Sequence, residues 1–394
     1  MCAAPLHRIH WTGPDGQAAS ALWRSEAGVA AHQKVVLADD TMPANTAYKL
    51  ACEGTALLWQ GDFQNARHLL QALTRRLEPA AGRAGGKGQG KRHKPQEATS
   101  AGQAFNQHRQ KLAHRARILG MLLIPFEADH AIPLRRAPDM RQACAEAYGA
   151  GTEPYVASLR ELLGLIGAHE WRKKGVAIEA LKGKGSGRIH AHYGVFSPVR
   201  GEYVDLVQQA PLPAGIKEAI DVGTGSGVLA AVLASRGIAR ITATDQDARA
   251  LACAKENLHR LKLDKQVNVI EADLFPPGQA PLIVCNPPWL PARPSSPIEY
   301  AVYDPDSRML RGFLAGLRAH LTPQGEGWLI MSDLAEHLGL RGPDDLQAWI
   351  SEAGLKVVGK LDARPRHPKT QDASDPLHQA RAAEVTSLWR LAAA

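Results

Sequence analysis

The chain has 394 residues, 45% of them hydrophobic and 22% charged, with a net charge of +8, which fits a soluble globular protein of two or three domains. No apolar run approaches a membrane span: the longest, ILGMLLIPF at 118–126, is short and interrupted by Pro125, and the N-terminus lacks the apolar core of a signal peptide. Five scattered cysteines (Cys2, Cys52, Cys144, Cys253 and Cys285), with no C-x-x-C pair, exclude a disulfide framework and a structural zinc and predict reduced thiols in a cytoplasmic protein.

The charge is unevenly placed. Residues 1–200 carry 27 Lys and Arg against 16 Asp and Glu, whereas residues 201–394 carry 20 against 23. A basic half beside a nearly neutral one points to a polyanionic partner for the first half, RNA or a ribosome, against the plainer reading of solubility plus a basic linker.

In chain order, residues 57–77 predict an amphipathic helix, with Leu58, Phe63, Ala66, Leu69, Leu70, Leu73 and Leu77 at spacings of three and four and Asp62 at or near its start. AGRAGGKGQGKRHKPQ at 81–96 has five glycines and five Lys or Arg, too little apolar surface to offset ordering, and reads as a flexible basic linker, a plain tether or a grip on phosphates. Residues 103–118 form a basic helix carrying Arg109, Lys111, Arg115 and Arg117, and residues 154–168 a further helix with Leu159, Leu162, Leu163 and Ile166 inward. LKGKGSGRIHAHYG at 181–194 marks a boundary. His190 and His192 lack a third ligand nearby, so no metal site is expected. The predicted organisation is an N-terminal subdomain at 1–80, a linker at 81–100, a basic and mostly helical subdomain at 101–189 and an α/β domain at 190–394, the N-terminal region as a whole being α-rich or α+β.

From about residue 216 strands and helices alternate. KEAIDVGTGSGVLAAVLASRG reads as strand, glycine turn and helix, ARITATDQD, QVNVIEADLF, APLIVCNPPW and GEGWLIMSDL as four further strands, ARALACAKENLHRL and SRMLRGFLAGLRAHL as helices, and LKVVGKLD with AEVTSLWRL as an antiparallel edge pair. This predicts a doubly wound, Rossmann-like, mostly parallel sheet with its ligands at the strands' C-terminal ends. DVGTGSG, Asp221 to Gly227, ends the first of these strands. Gly223 permits the tight turn, Gly225 a close ligand and Gly227 close helix packing. Val228 stands where a dinucleotide fingerprint needs glycine, and no Gly-Lys-Ser/Thr follows, so an adenosine ligand without a polyphosphate fits better. Asp245 ends the next strand, placed to accept from two ribose hydroxyls, with Asp247 its competitor. Asp273 ends the third, placed to accept from an adenine amine, and Glu271 lies before that exit. In PLIVCNPPWLP a buried strand runs into Asn286, Pro287, Pro288 and Trp289, where the prolines stiffen the exit and fix an amide beside a large aromatic ring.

DVGTGSG, TATDQD, EADLF and CNPPW, in this order, resemble the class I S-adenosylmethionine-dependent methyltransferases, in the branch whose domain is called the methyltransferase small domain. That branch includes rRNA guanine-N2 and release-factor glutamine-N5 methyltransferases. The resemblance covers about residues 190–394. It implies S-adenosyl-L-methionine as cofactor, with Asp221, Gly223, Thr224, Gly225 and Gly227 along its methionine part, Asp245 at the ribose, and Asp273 with Leu274 at the adenine. Asn286, a further cofactor neighbour, would with Pro287, Pro288 and Trp289 receive a planar NH2 acceptor. GVFS at 194–197 is similar to the rRNA enzymes, and Pro198, Arg200 and Glu202 to the P-R-x-x-E region of the glutamine enzymes. LLWQGDFQNARHLLQALTRR at 57–76 resembles N-terminal parts of bacterial rRNA methyltransferases. The expected activity is N-methylation of an exocyclic amine in RNA, above all rRNA. The alternatives are methylation of a protein glutamine and an inactive methyltransferase fold that binds nucleic acid. The oligomeric state is not legible in the sequence.

Overall fold

The computed structural model describes residues 7–78, 100–294, 297–366, 372 and 375–394. The linker expected at 81–96 lies outside the described residues. The chain forms two units, Met1–Thr99 with Asn106–His169, and Ser100–Phe105 with Glu170–Ala394.

The first unit is built on a six-stranded mixed sheet. Its elements are β1 (Arg8–Thr12), β2 (Ala18–Trp23), β3 (Val35–Ala38), α1 (Ala44–Cys52), β4 (Ala56–Trp59), α2 (Phe63–Leu77), α3 (Ala101–Leu119), β5 (Leu122–Phe126), α4 (Arg141–Tyr148), β6 (Tyr155–Ser158) and α5 (Leu159–Lys174), with α3 and α5 each continuing across a unit boundary. The strand order is β1-β2-β6-β5-β4-β3.

This corrects three expectations. The helix read over 57–77 begins at Phe63, because Ala56–Trp59 is a strand with all four residues buried. Gly61 and Asp62 separate the two: a Cβ on Gly61 would lie 2.5 Å from Asp40 Oδ1, and Asp62 caps α2 by accepting from Gln64 N. The helix read over 154–168 begins at Leu159, after a second fully buried four-residue strand. Its buried residues are Leu159, Leu162 and Leu165, with Leu163 and Ile166 half-buried. Nor do residues 1–80 and 101–189 form separate subdomains, since β4 pairs in parallel with β5, Leu57 against Leu122. A fully buried strand needs hydrogen-bond partners on both sides, and β4 takes β3 from the first stretch and β5 from the second.

In the second unit a short ribbon, β7 (Val176–Ala177) with β8 (Arg188–Ile189), precedes α6 (Glu202–Gln209). The alternation then follows: β9 (Glu218–Val222), α7 (Val228–Ser235), β10 (Arg240–Asp245), α8 (Ala248–Arg260), β11 (Val267–Glu271), β12 (Ala280–Cys285), α9 (Arg308–His320) and β13 (Leu321–Ser332). After it come α10 (Leu334–His337), α11 (Asp345–Glu352), β14 (Leu355–Ala363), α12 (His378–Ala383) and β15 (Thr386–Ala393). The seven strands lie in the order β11-β10-β9-β12-β13-β15-β14. All pairings from β11 to β13 are parallel, and β15 is antiparallel to both neighbours.

Each face of this sheet buries its own core. Ala219, Ala243, Val284 and Trp328 face the layer of α7, while Ile220, Val222, Cys285 and Leu329 face that of α9. Phe105 belongs to a smaller cluster with Leu290, Leu334, Leu338 and Leu377. Among the described residues no helix is long and apolar enough to cross a membrane.

Candidate active site

The sheet winds outward in two directions from β9, toward β10 and β11 on one side and toward β12 and β13 on the other. A crevice opens at such a switch point, beyond the strands' C-terminal ends. Cys285 is in register with Val222, so Asn286 and Gly223 leave neighbouring strands at one level.

The glycine loop is fixed from inside by Asp221. This residue is 1% exposed, and its Oδ2 accepts from Thr224 Oγ1 at 2.7 Å and from Ala230 N at 3.0 Å. Burial pushes its carboxyl up to about 6. Gly223, Gly225 and Gly227 have φ of 70°, 53° and 80°, a left-handed backbone that glycine adopts without strain. A Cβ on Gly227 would meet the Ala254 backbone at 3.2 Å, whereas one on Gly225 would meet nothing within 4 Å. The loop is thus closed against α8 at Gly227 and open at Gly225.

Asp245 faces that opening. Its Oδ2 accepts from Gly225 N and its Oδ1 from Asp247 N, both at 3.0 Å, and burial raises its pKa. Each oxygen keeps a lone pair for a further donor. The competing Asp247 is the N-cap of α8, accepting from Arg249 N at 2.9 Å. Asp273, expected to end the third strand, lies two residues beyond it, since β11 stops at Glu271; it points outward, its side chain 66% exposed and 3.5 Å from the Arg308 guanidinium. Next to it, Leu274 has φ 69°, and its carbonyl accepts from Thr244 Oγ1 at 2.6 Å.

At the end of β12 the Trp289 indole Nε1–H donates to Asn286 Oδ1 at 3.0 Å. Trp289 packs against both cores of the sheet. Leu290 forms a bridge with Tyr303, and the buried Asp304 accepts from Met309 N and Leu310 N at the start of α9. That cap sets Met309, whose Cε lies 2.4 Å from where a Gly223 Cβ would stand.

The structure therefore gathers the glycine loop, Asp245 and the asparagine turn at one end of the sheet. It leaves Asp273 at the surface and turns Asp221 inward. Sequence reading gave Asp304 and Met309 no role, although Asp-Pro-Asp-Ser ahead of the apolar run is a legible helix start. It also missed Glu384, which meets Arg200 beside Trp289 and carries no local signature. His190 and His192 are bound elsewhere, at the Arg172 carbonyl and the Glu256 carboxylate.

A family model described as methyltransferase small domain matches residues 186–337. The chain is 30% identical over 183 residues to the tRNA1(Val) (adenine(37)-N6)-methyltransferase of Shewanella loihica, a match spanning 44% of this chain and 71% of that one. It is 40% identical over 91 residues to the release factor glutamine methyltransferase of Shewanella oneidensis, covering 22% of this chain and 31% of the relative. With the ribosomal RNA large subunit methyltransferase G of Vibrio cholerae it shares 34% identity over 98 residues, 23% of this chain and 26% of the relative.

Proposed function

The chain belongs to the methyltransferase small domain family of S-adenosylmethionine-dependent methyltransferases, and on that premise we propose that it transfers a methyl group to the exocyclic NH2 of a base in RNA. The observation that carries this reading is the register of Cys285 with Val222, which sets Asn286 beside the glycine loop.

The residues at the switch point fit the cofactor. Gly225 offers backbone open to a ligand, and the Asp245 carboxylate has lone pairs for two hydroxyls. In this reading Gly223, Thr224, Gly225 and Gly227 line the methionine part and Asp245 holds the ribose. Asp221 acts one step back, by holding the loop through Thr224 and Ala230. Asp273, with Leu274 beside it, faces the adenine and exchanges its Arg308 partner for the amine. When bound, S-adenosylmethionine supplies a methyl group on a sulfonium.

The protein's own contribution is orientation. An exocyclic NH2 has its lone pair delocalised into the ring. The second lone pair of Asn286 Oδ1 and the carbonyl of Pro287 accept its two N–H bonds, which turns the nitrogen lone pair toward the methyl. Pro287 and Pro288 fix the backbone that carries this carbonyl, and Trp289 stacks on the planar acceptor.

RNA is favoured by charge. Besides the excess in residues 1–200, α3 has four Lys or Arg and no acidic residue over its length from Ala101 to Leu119. The relative matched over most of its length is named for a tRNA adenine. The same reading makes rRNA a second RNA candidate and places the reaction in the cytoplasm. Incubation with tritiated S-adenosylmethionine and, separately, undermodified tRNA, undermodified ribosomes and release factor tests it. Label removed by RNase and resistant to protease is expected. Label that survives RNase and is lost to protease would overturn RNA in favour of a protein glutamine.

A further inference from the structure

Three segments far apart in the chain converge on Trp289. Arg200 comes from the stretch before α6, Ser332 ends β13, and Glu384 lies two residues before β15. The Arg200 guanidinium sits over the indole, 5.3 Å from the ring centroid. Its Nε donates to Glu202 Oε1 at 2.7 Å and its Nη2 to Glu384 Oε1 at 2.9 Å. The Glu202 and Glu384 side chains are 7% and 2% exposed. Glu384 Oε1 also takes the Ser332 hydroxyl at 2.7 Å, and Ser332 Oγ accepts from Leu334 N.

A guanidinium gripped at two nitrogens by two buried carboxylates has little freedom to turn, because its fork is planar. Whatever lies under it is held as well. Here that is an indole whose opposite function, the N–H, engages Asn286.

We propose that Arg200 is a positioning residue for the acceptor end of the site. Clamped by Glu202 and Glu384, it holds the Trp289 indole in the place where the N–H fixes the Asn286 amide. A relay thus runs from Ser332 and Glu384 through Arg200 and Trp289 to Asn286. Lysine in place of Arg200 keeps the cation but cannot hold both carboxylates with a planar fork.

This inference rests on the reading of Asn286 and Trp289 as acceptor residues, yet its test needs no acceptor. Of the eight tryptophans, Trp289 is identified in the two-dimensional NMR spectrum of 15N-indole-labelled protein as the indole N–H signal missing from W289F. In the wild type its exchange with water is expected to be slow. R200K should displace that signal and speed its exchange about tenfold while leaving the other seven in place, with affinity for S-adenosylmethionine within about threefold of wild type. E384Q, which keeps the arginine, should move the same signal less, and it serves if R200K fails to fold. N286A should also speed exchange at Trp289. A Trp289 signal unmoved by both R200K and E384Q, or a displacement shared by all eight indoles, would overturn the proposal and leave Arg200 a general brace. Failure of the RNA labelling would not alter this result, and failure here would leave the RNA labelling as it stands.

Discussion

The indole N–H of Trp289 donates to the side-chain oxygen of Asn286 across 3.0 Å. An indole nitrogen can only donate, so the contact also says which end of the amide faces the ring. Oxygen is turned toward Trp289 with one lone pair occupied and one left over. The asparagine turn is therefore set as an acceptor of a single further hydrogen bond at that oxygen.

From this, Asn286→Ala should lower kcat by about a hundredfold, the scale of a lost orienting contact, and leave the cofactor's Kd within about threefold. Trp289→Phe keeps a stacking ring and loses only the N–H, so a smaller loss of about tenfold is expected. Methyl transfer to the identified acceptor gives the first quantity and calorimetry with S-adenosylmethionine the second. Equal losses of affinity and turnover in N286A would contradict the separation of roles.

The two acids at the end of β10, Asp245 as its last residue and Asp247 just beyond, have distinct partners and should separate cleanly. Asp245→Ala should raise the cofactor's Kd roughly ten- to a hundredfold, for two hydrogen bonds of about 1–1.5 kcal/mol each. Asp247→Ala removes the cap of α8 and should cost about 1 kcal/mol of stability with cofactor affinity unchanged. Calorimetry and urea unfolding on both variants check this, and the reverse pattern would exchange their assignments.

The three loop glycines should fail in different ways. At Gly225 an added methyl meets nothing within 4 Å, so Gly225→Ala should cost only about 1–2 kcal/mol of backbone strain while weakening cofactor binding about tenfold or more. At Gly227 the methyl lies 3.2 Å from the Ala254 backbone, so Gly227→Ala should be the less stable protein. Gly223→Ala would displace the Met309 methyl, a flexible neighbour. Melting temperatures and cofactor Kd values, measured together, distinguish the three.

Asp221 gives the loop a pH dependence. Burial raises its carboxyl from 3.8 to about 6, against hydrogen bonds from Thr224 and Ala230 that lower it. An acid whose folded pKa lies above its unfolded value binds more protons in the folded state between those values. Stability therefore falls as pH rises from about 4 to 6, by up to about 3 kcal/mol. Asp221→Asn cannot ionise, and its amide oxygen can still accept from Thr224. The difference in unfolding free energy, wild type minus D221N, should become more negative across that window and be level above it. A constant difference from pH 4 to 7 would mean that Asp221 keeps an ordinary carboxylate pKa in the fold.

Strands β9 to β12 of the second unit were legible because each is a short apolar run ended or followed by glycine, acid or asparagine, whereas the two-residue strands β7 and β8 have no such run. The same marks located the glycine loop, Asp245 and Asn286. The first unit was less legible. Ala56–Trp59 and Tyr155–Ser158 are buried on both faces and so lack alternation, and each lies next to a helix whose leucine spacing it extends. The clamp on Trp289 was hidden for another reason. Arg200 and Glu384 are 184 residues apart, and they meet because α6, which follows Arg200, packs against β15, which follows Glu384. Sequence periodicity speaks to which face of an element is buried, not to which distant charge it meets.

Phe105 has a consequence for anyone dividing the protein. Six residues from within the N-terminal half, Ser100–Phe105, are built into the second unit, and their phenyl ring packs with Leu290, four positions past Asn286 in the chain. A gene fragment starting at residue 170 would encode every strand of the methyltransferase sheet and still lack this wedge. The catalytic half is therefore no interchangeable cassette. Cut at residue 170, it would need another side chain to fill that space.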